Sequence, residues 1–190
     1  MKAKKILSLM MSIVIGSLIV TVDSYAAMHT KAPPTVISNA QMQKDGEILA
    51  VLIAVDKNEI ALAKEALKKQ TTPAIKQYAH ILKREHTQNL NETLRLSKKI
   101  GIAPIDTALV TSIQQDGAKG LVTLSSLNGI AFEKAYIHAM VKGHTHVLKM
   151  IDHDLLKHAS NPLVKQLVLT TRPHIEAHLQ EGKIIQKELR

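Results

Sequence analysis

The stretch DGEILAVLIAVDKNEIALAKEALKK, residues 45 to 69, reads as one long helix. Ile48, Leu52, Val55, Glu59, Leu62 and Ala66 recur at alternating steps of four and three, the period that keeps side chains on one face of an α-helix. Upstream, residues 27 to 44 hold Pro33-Pro34 and read as a flexible leader, with Ser38 and Gln41 at capping-box spacing for a short preliminary turn. Downstream, Thr72-Pro73 opens a second helix, a cap residue followed by Pro at the first helical position. Its predicted stripe is Ile75, Tyr78, Ala79, Leu82, His86, Leu90 and Leu94, and Lys98, Lys99 and Gly101 supply the stop.

Residues 102 to 130 carry Gly117 and Gly120 among shorter apolar clusters and read as a partly helical crossover. A third long helix is predicted over Ala131 to His158, burying Phe132, Tyr136, Met140, Val147 and Ile151. Asn161-Pro162 repeats the cap-plus-Pro start for a fourth, reaching Leu189, with a kink expected at Pro173 where the carbonyl of Leu169 loses its donor. Two short turns and one long connection predict an all-α, ferritin-like four-helix bundle over residues 45–190, with a long crossover between helices 2 and 3. A simple up-and-down bundle with an ornamented loop is the alternative.

Composition agrees with that class. Hydrophobic residues make up 45% and aromatic residues only 2%, with no Trp and one Phe, a set that packs helix on helix better than strand on strand. The formal charge is +9, but the lysines are scattered and aromatic platforms are lacking, so nucleic acid is not the expected partner. The chain has no Cys, which excludes disulfides, thiolate metal sites, thiol nucleophiles and a lipidated N-terminal cysteine.

The first 26 residues read as an address. Lys2, Lys4 and Lys5 precede an apolar run from Ile6 to Val22, and Ser24-Tyr25-Ala26 places small residues where a signal peptidase cuts. Residues 1–26 are therefore expected to be a cleaved signal peptide rather than an anchor. No later run is long and apolar enough to span a bilayer, and the mature protein is expected in the periplasm or outside the cell.

Polar residues that interrupt the apolar stripes are the candidates for chemistry. Glu59 lies between Val55 and Leu62, His86 between Leu82 and Leu90, His144 between Met140 and Val147, and His178 on a face with His174 and Ile185. Counted from the two short turns at about 1.5 Å per residue, all four fall near mid-bundle. One carboxylate and three imidazoles converging there suit zinc, iron or copper. Glu59, His86, His144 and His178 are the predicted metal ligands, with His174 as a fifth candidate. The alternative is a buried Glu–His hydrogen-bond network with no ion. His80, His138, His146 and His153 point elsewhere and are expected on the surface. No nucleophile elbow, P-loop or dinucleotide fingerprint is present.

Glu59-Ile60, Leu62-Ala63, Glu85-His86-Thr87, Phe132-Glu133-Lys134-Ala135-Tyr136, His144, and Pro173 ahead of His178-Leu179 form a series. Over residues 40 to 189 their order and spacing resemble the exported family called domain of unknown function 4142. The resemblance implies a ferritin-like bundle, an exported location and no assigned activity. The chain departs from the family at Glu85 and Glu133, where Asp is frequent, and at Gly143, where an acid often precedes the histidine; these departures count against a role for acids at those positions. Lys83 and Ile175 stand where the Glu-x-x-His pattern of ferritin-type di-iron oxidases needs Glu. Three functions follow: a non-catalytic bundle that binds a protein or envelope component, a metal-binding or stress-related protein, and a metal-dependent enzyme. The first is the leading expectation, with oligomeric state open.

Overall fold

The helix expected from residue 45 begins at Asn39. The structure, a computed structural model, describes residues 38–189, so the predicted signal peptide and residues 27–37 of the predicted leader lie outside the described residues. α1 spans Asn39–Lys68, and Ser38 caps it: the Gln41 N–H donates to Ser38 Oγ while the Ser38 N–H donates to Gln41 Oε1. Those paired donors start α1 itself rather than a separate turn.

α2 spans Pro73–Ile100 and ends at Gly101, whose φ of 69° is the left-handed stop. α3 spans Ala108–Ser125. α4 spans Gly129–Met150 and runs on through a π-helical turn, Ile151–Leu155, to a last turn at Leu156–His158. α5 spans Pro162–Glu188, and the Asn161 side chain accepts the Leu163 N–H at its start. Pro173 sits inside an unbroken α5. The carbonyl of Leu169, which it leaves without a helical donor, belongs to an exposed residue that water can satisfy. The described residues are all helix and connection, without a strand, and no helix among them is long and apolar enough to cross a membrane.

α1 packs on α2 and α3, α4 on α5, and α2 on α5. α3 occupies the predicted crossover and runs alongside α1: Asn58 Nδ2 donates to the Ile113 carbonyl, and Lys69 Nζ to the Ser125 carbonyl. This second neighbour explains why α1 has no single stripe. Every residue from Ile48 to Val55 is buried, because α1 is covered on several sides. On α2 the buried face passes from His86 to Thr93 and Ser97, while Leu94 is exposed. Repeated steps of four, as in Leu90 and Leu94, walk off a face whose period is 3.6. On α4, Val147, Ile151, Leu155 and Ala159 are all buried at steps of four. The wider π turn takes back the drift such a spacing would otherwise accumulate.

Two buried carboxylates fasten helix starts on other elements. Asp45 of α1 accepts the backbone N–H groups of Ser160 and Asn161, each at 2.9 Å, just before α5. Glu133 of α4 accepts the N–H and the hydroxyl of Thr72, just before α2. Thr72 thus receives its partner from another helix and does not cap α2 with its own side chain. Glu133 therefore has a structural role, against the expectation from its departure.

Gly46 marks where the connection after α2 crosses α1. The Ile105 N–H donates to the Gly46 carbonyl at 3.0 Å, and a Cβ at Gly46 would lie 2.7 Å from the carbonyl oxygen of Ala103. That neighbour is backbone and cannot swing aside. Gly46→Ala is expected to cost about 1–3 kcal/mol, the range for overpacking, measured by urea unfolding. An unchanged midpoint would show that the crossing moves freely.

The apolar interior divides into two clusters. One gathers Leu49, Val110, Ile151, Val164 and Ile175, the other Ala66, Ile75, Leu82, Phe132, Tyr136 and Met140. Glu59, His86, His144 and His178 lie between them along the helices.

Candidate metal centre

Three of the predicted ligands come together. His86 of α2, His144 of α4 and His178 of α5 are 2%, 1% and 4% exposed. Their ring centroids form a near-equilateral triangle with sides of 5.7, 5.3 and 5.3 Å. One donor nitrogen from each lies within 4.8 Å of the others. Bonds to a first-row ion run about 2.0–2.1 Å, so a modest tightening of the rings brings all three into bonding range.

Each ring is held from outside. His144 Nδ1 donates to the Met140 carbonyl at 2.9 Å, and His178 Nε2 donates to Glu85 Oε2 at 2.9 Å. His86 Nδ1 meets Asp56 Oδ1 at 2.8 Å. Asp56 is itself held by Asn89 Nδ2 at 2.9 Å, and Asn89 by the Thr171 hydroxyl at 2.8 Å. The opposite nitrogens, His86 Nε2, His144 Nε2 and His178 Nδ1, are buried with no hydrogen-bond partner among the described residues. An acceptor behind one nitrogen fixes the proton there and presents a lone pair from the other, the outer-shell arrangement of metal-bound histidines.

Glu59 and His174 stand apart from that triangle. Glu59 is buried, with Oε1 4.0 Å from His144 Nδ1 and Oε2 unpartnered. It also lines a groove between α1, α3 and α4 beside Gly143, so its carboxylate neighbours the imidazole group without being one of the three. His174 is exposed, and its Nδ1 faces Glu85 Oε2 at 3.3 Å. One helical turn separates it from His178, and that turn carries it to the surface. His80, His138, His146 and His153 are exposed, as predicted.

Sequence reasoning missed Asp56 and Glu85 as partners of the imidazoles. Asp56 follows directly on the apolar run Ile48–Val55, and that unbroken run signals burial on all sides. Glu85 adjoins His86, and nothing in its spacing points to His178 on another helix.

Burial pushes His86 down to about 4, with the Glu59 charge opposing. Burial and the two neighbouring imidazoles likewise hold His178 down at about 4. The net effect keeps the His86 and His178 rings neutral, the form that binds metal. Burial raises Asp56 to about 8 against the Asn89 hydrogen bond. Burial works against ionisation of Glu85, yet hydrogen bonds from Arg84 and His178 hold it below the usual carboxylate range. Burial and the Glu59 charge push the Tyr136 phenol well up, so it stays neutral, and its hydroxyl is another buried group without a partner among the described residues.

In comparisons with known proteins, the family model described as domain of unknown function (DUF4142) matches residues 30–185. No curated protein and no solved structure matches the chain.

Proposed function

Since the chain belongs to the domain of unknown function 4142 family, we propose on its own side chains that it is a metal-binding protein, with His86, His144 and His178 as the ligands of one divalent transition ion. The observation that carries this is the set of three buried imidazoles, each tied outward at one nitrogen and unpartnered at the other. A purely structural network would pair those inner nitrogens, because an unmet buried polar atom costs about 1–3 kcal/mol. Neutral imidazole suits zinc, iron or copper, and Glu59 stands near enough to add a carboxylate or orient a bound water. Such an ion supplies Lewis acidity or, for iron and copper, electron transfer. What the chain does is hold neutral rings in place and keep bulk water away.

The reading includes a ferritin-like four-helix bundle made by α1, α2, α4 and α5, with α3 in the crossover. Its support is the pairing of α1 with α2 and of α4 with α5, and a site to which three of these helices give imidazoles and α1 the carboxylates of Asp56 and Glu59. It also includes export, supported by the basic start, apolar run and small-residue cleavage site of residues 1–26. An interaction role, the leading expectation from the sequence, has no comparable geometric support among the described residues.

Elemental analysis and cobalt titration of the untagged protein test the reading, with about one ion per chain expected, as for a single three-His centre. Negligible metal under every loading condition would end it. The pH dependence has a defined sign. A metal on His86 Nε2 requires the proton on Nδ1, donated to an ionised Asp56, whose burial holds it protonated up to about 8. Binding therefore releases a proton, and affinity should climb with pH by up to about tenfold per unit until roughly pH 8. His86 and His178, held at about 4, should not compete for protons above pH 5. A flat affinity from pH 5 to 8 would remove Asp56 from this role.

A further inference from the structure

We propose that the ion reaches the three imidazoles through the cleft between α2 and α5, and that Glu85 and His174 at its mouth form an outer site that captures it first. This rests on the metal-binding reading above and adds a path and a second, transient site. The cleft encloses about 80 Å³, with His86 and His178 on its inner side and Gln88, Glu92 and His174 among its walls. A water needs about 10–15 Å³ by such a measure, so the cleft has room for a partly hydrated ion.

Glu85 links the outside to the inside. Its Oε2 faces the exposed His174 at 3.3 Å and the buried His178 at 2.9 Å, while Oε1 pairs with Arg84 at 2.7 Å. One carboxylate oxygen therefore touches an imidazole at the surface and an imidazole of the centre. An ion held by Glu85 and His174 is already next to its final ligand. Glu92 adds a second negative charge to the same cleft, which favours a cation at the mouth.

The rival path is the groove between α1, α3 and α4, about 600 Å³ in volume, where Glu59 lies. Val55, Leu62, Met140 and Val147 line it, and Lys142 and His146 belong to its walls. Its apolar side chains give a hydrated cation little to replace its water, and its two acids, Glu59 and Asp116, stand with the cation of Lys142. The groove is wider, but none of the three imidazoles lines it, whereas His86 and His178 line the cleft.

Stopped-flow absorbance of cobalt loading and release in the full chain tests the proposal with three variants. Gln88→Trp narrows the cleft, Ser112→Trp narrows the groove, and His174→Ala removes half of the outer site; all three positions are exposed. Gln88→Trp and His174→Ala should slow loading and release alike, by about tenfold as expected when a steering path is impaired, with equilibrium affinity unchanged. Ser112→Trp should load as the parent does. Unchanged rates in Gln88→Trp, or slowing only in Ser112→Trp, would overturn the path. Slowing by Gln88→Trp without slowing by His174→Ala would overturn the outer site. Weaker equilibrium binding by His174→Ala would make it a ligand of the centre and overturn the proposal as well. A parent protein that takes up no cobalt fails differently, removing the centre itself.

Discussion

His144→Ala is expected to bind zinc or cobalt at least about 100-fold more weakly than the parent. Outer partners of metal-bound histidines typically cost 10–100-fold when removed, and an inner ligand should exceed that range. His144 is the imidazole whose outer nitrogen is held by its own helix, at the Met140 carbonyl, so its loss leaves the Asp56 and Glu85 contacts to the other rings in place. Competition against a chelator of known affinity measures the effect. Thermal unfolding gives a second readout: at a hundredfold excess over the parent's dissociation constant, metal should stabilise the parent by about 2.7 kcal/mol and the variant by no more than about 0.4 kcal/mol. The metal-free midpoints separate lost ligation from the void left by a buried ring. His86→Ala and His178→Ala should behave alike. Equal affinity in parent and His144→Ala would sink the three-imidazole centre.

Asp45→Ala should destabilise the fold by on the order of 3 kcal/mol without touching the centre's ligands. Asp45 is wholly buried, and each of its oxygens accepts one backbone N–H, from Ser160 and Asn161. Hydrogen bonds to a charged group contribute about 1.5–3 kcal/mol each, and the negative charge also sits at the favourable, positive end of the α5 dipole. Alanine removes both acceptors and leaves a void. Chemical denaturation of the metal-free protein reads the loss. Asp45→Asn should fall between the two, since its amide nitrogen faces an N–H where an oxygen stood. A loss below about 0.5 kcal/mol, the usual scale for surface substitutions, would mean that water replaces the carboxylate.

The helices were legible because each carries local marks that need no partner. Asn161-Pro162 and Gly101 stand at the ends they advertise, while Ser38 and Gln41, read as a separate turn, start α1 itself. Three histidines were legible too, since each interrupts an apolar stripe and counting residues from the turns set their heights. Asp56, Glu85, Asp45 and Glu133 were not. Each takes its meaning from a helix distant in the chain, and a carboxylate beside an apolar run looks the same whether it meets solvent or a backbone N–H. His174 shows the opposite limit. One turn from His178 in sequence, it was a plausible fifth ligand, yet a small rotation about the α5 axis separates a surface from an interior position.

The π turn at Ile151–Leu155 gives α4 a place that absorbs changes in chain length. Deleting one residue there would let the segment rewind as an ordinary α-helix, leaving what precedes and follows nearly in phase. The same deletion between Phe132 and His144 would turn one part of the helix against the other by about 100° and swing the imidazole out of its triangle. Tolerance to single deletions along α4 should therefore be sharply uneven, generous within Ile151–Leu155 and nil between Phe132 and His144.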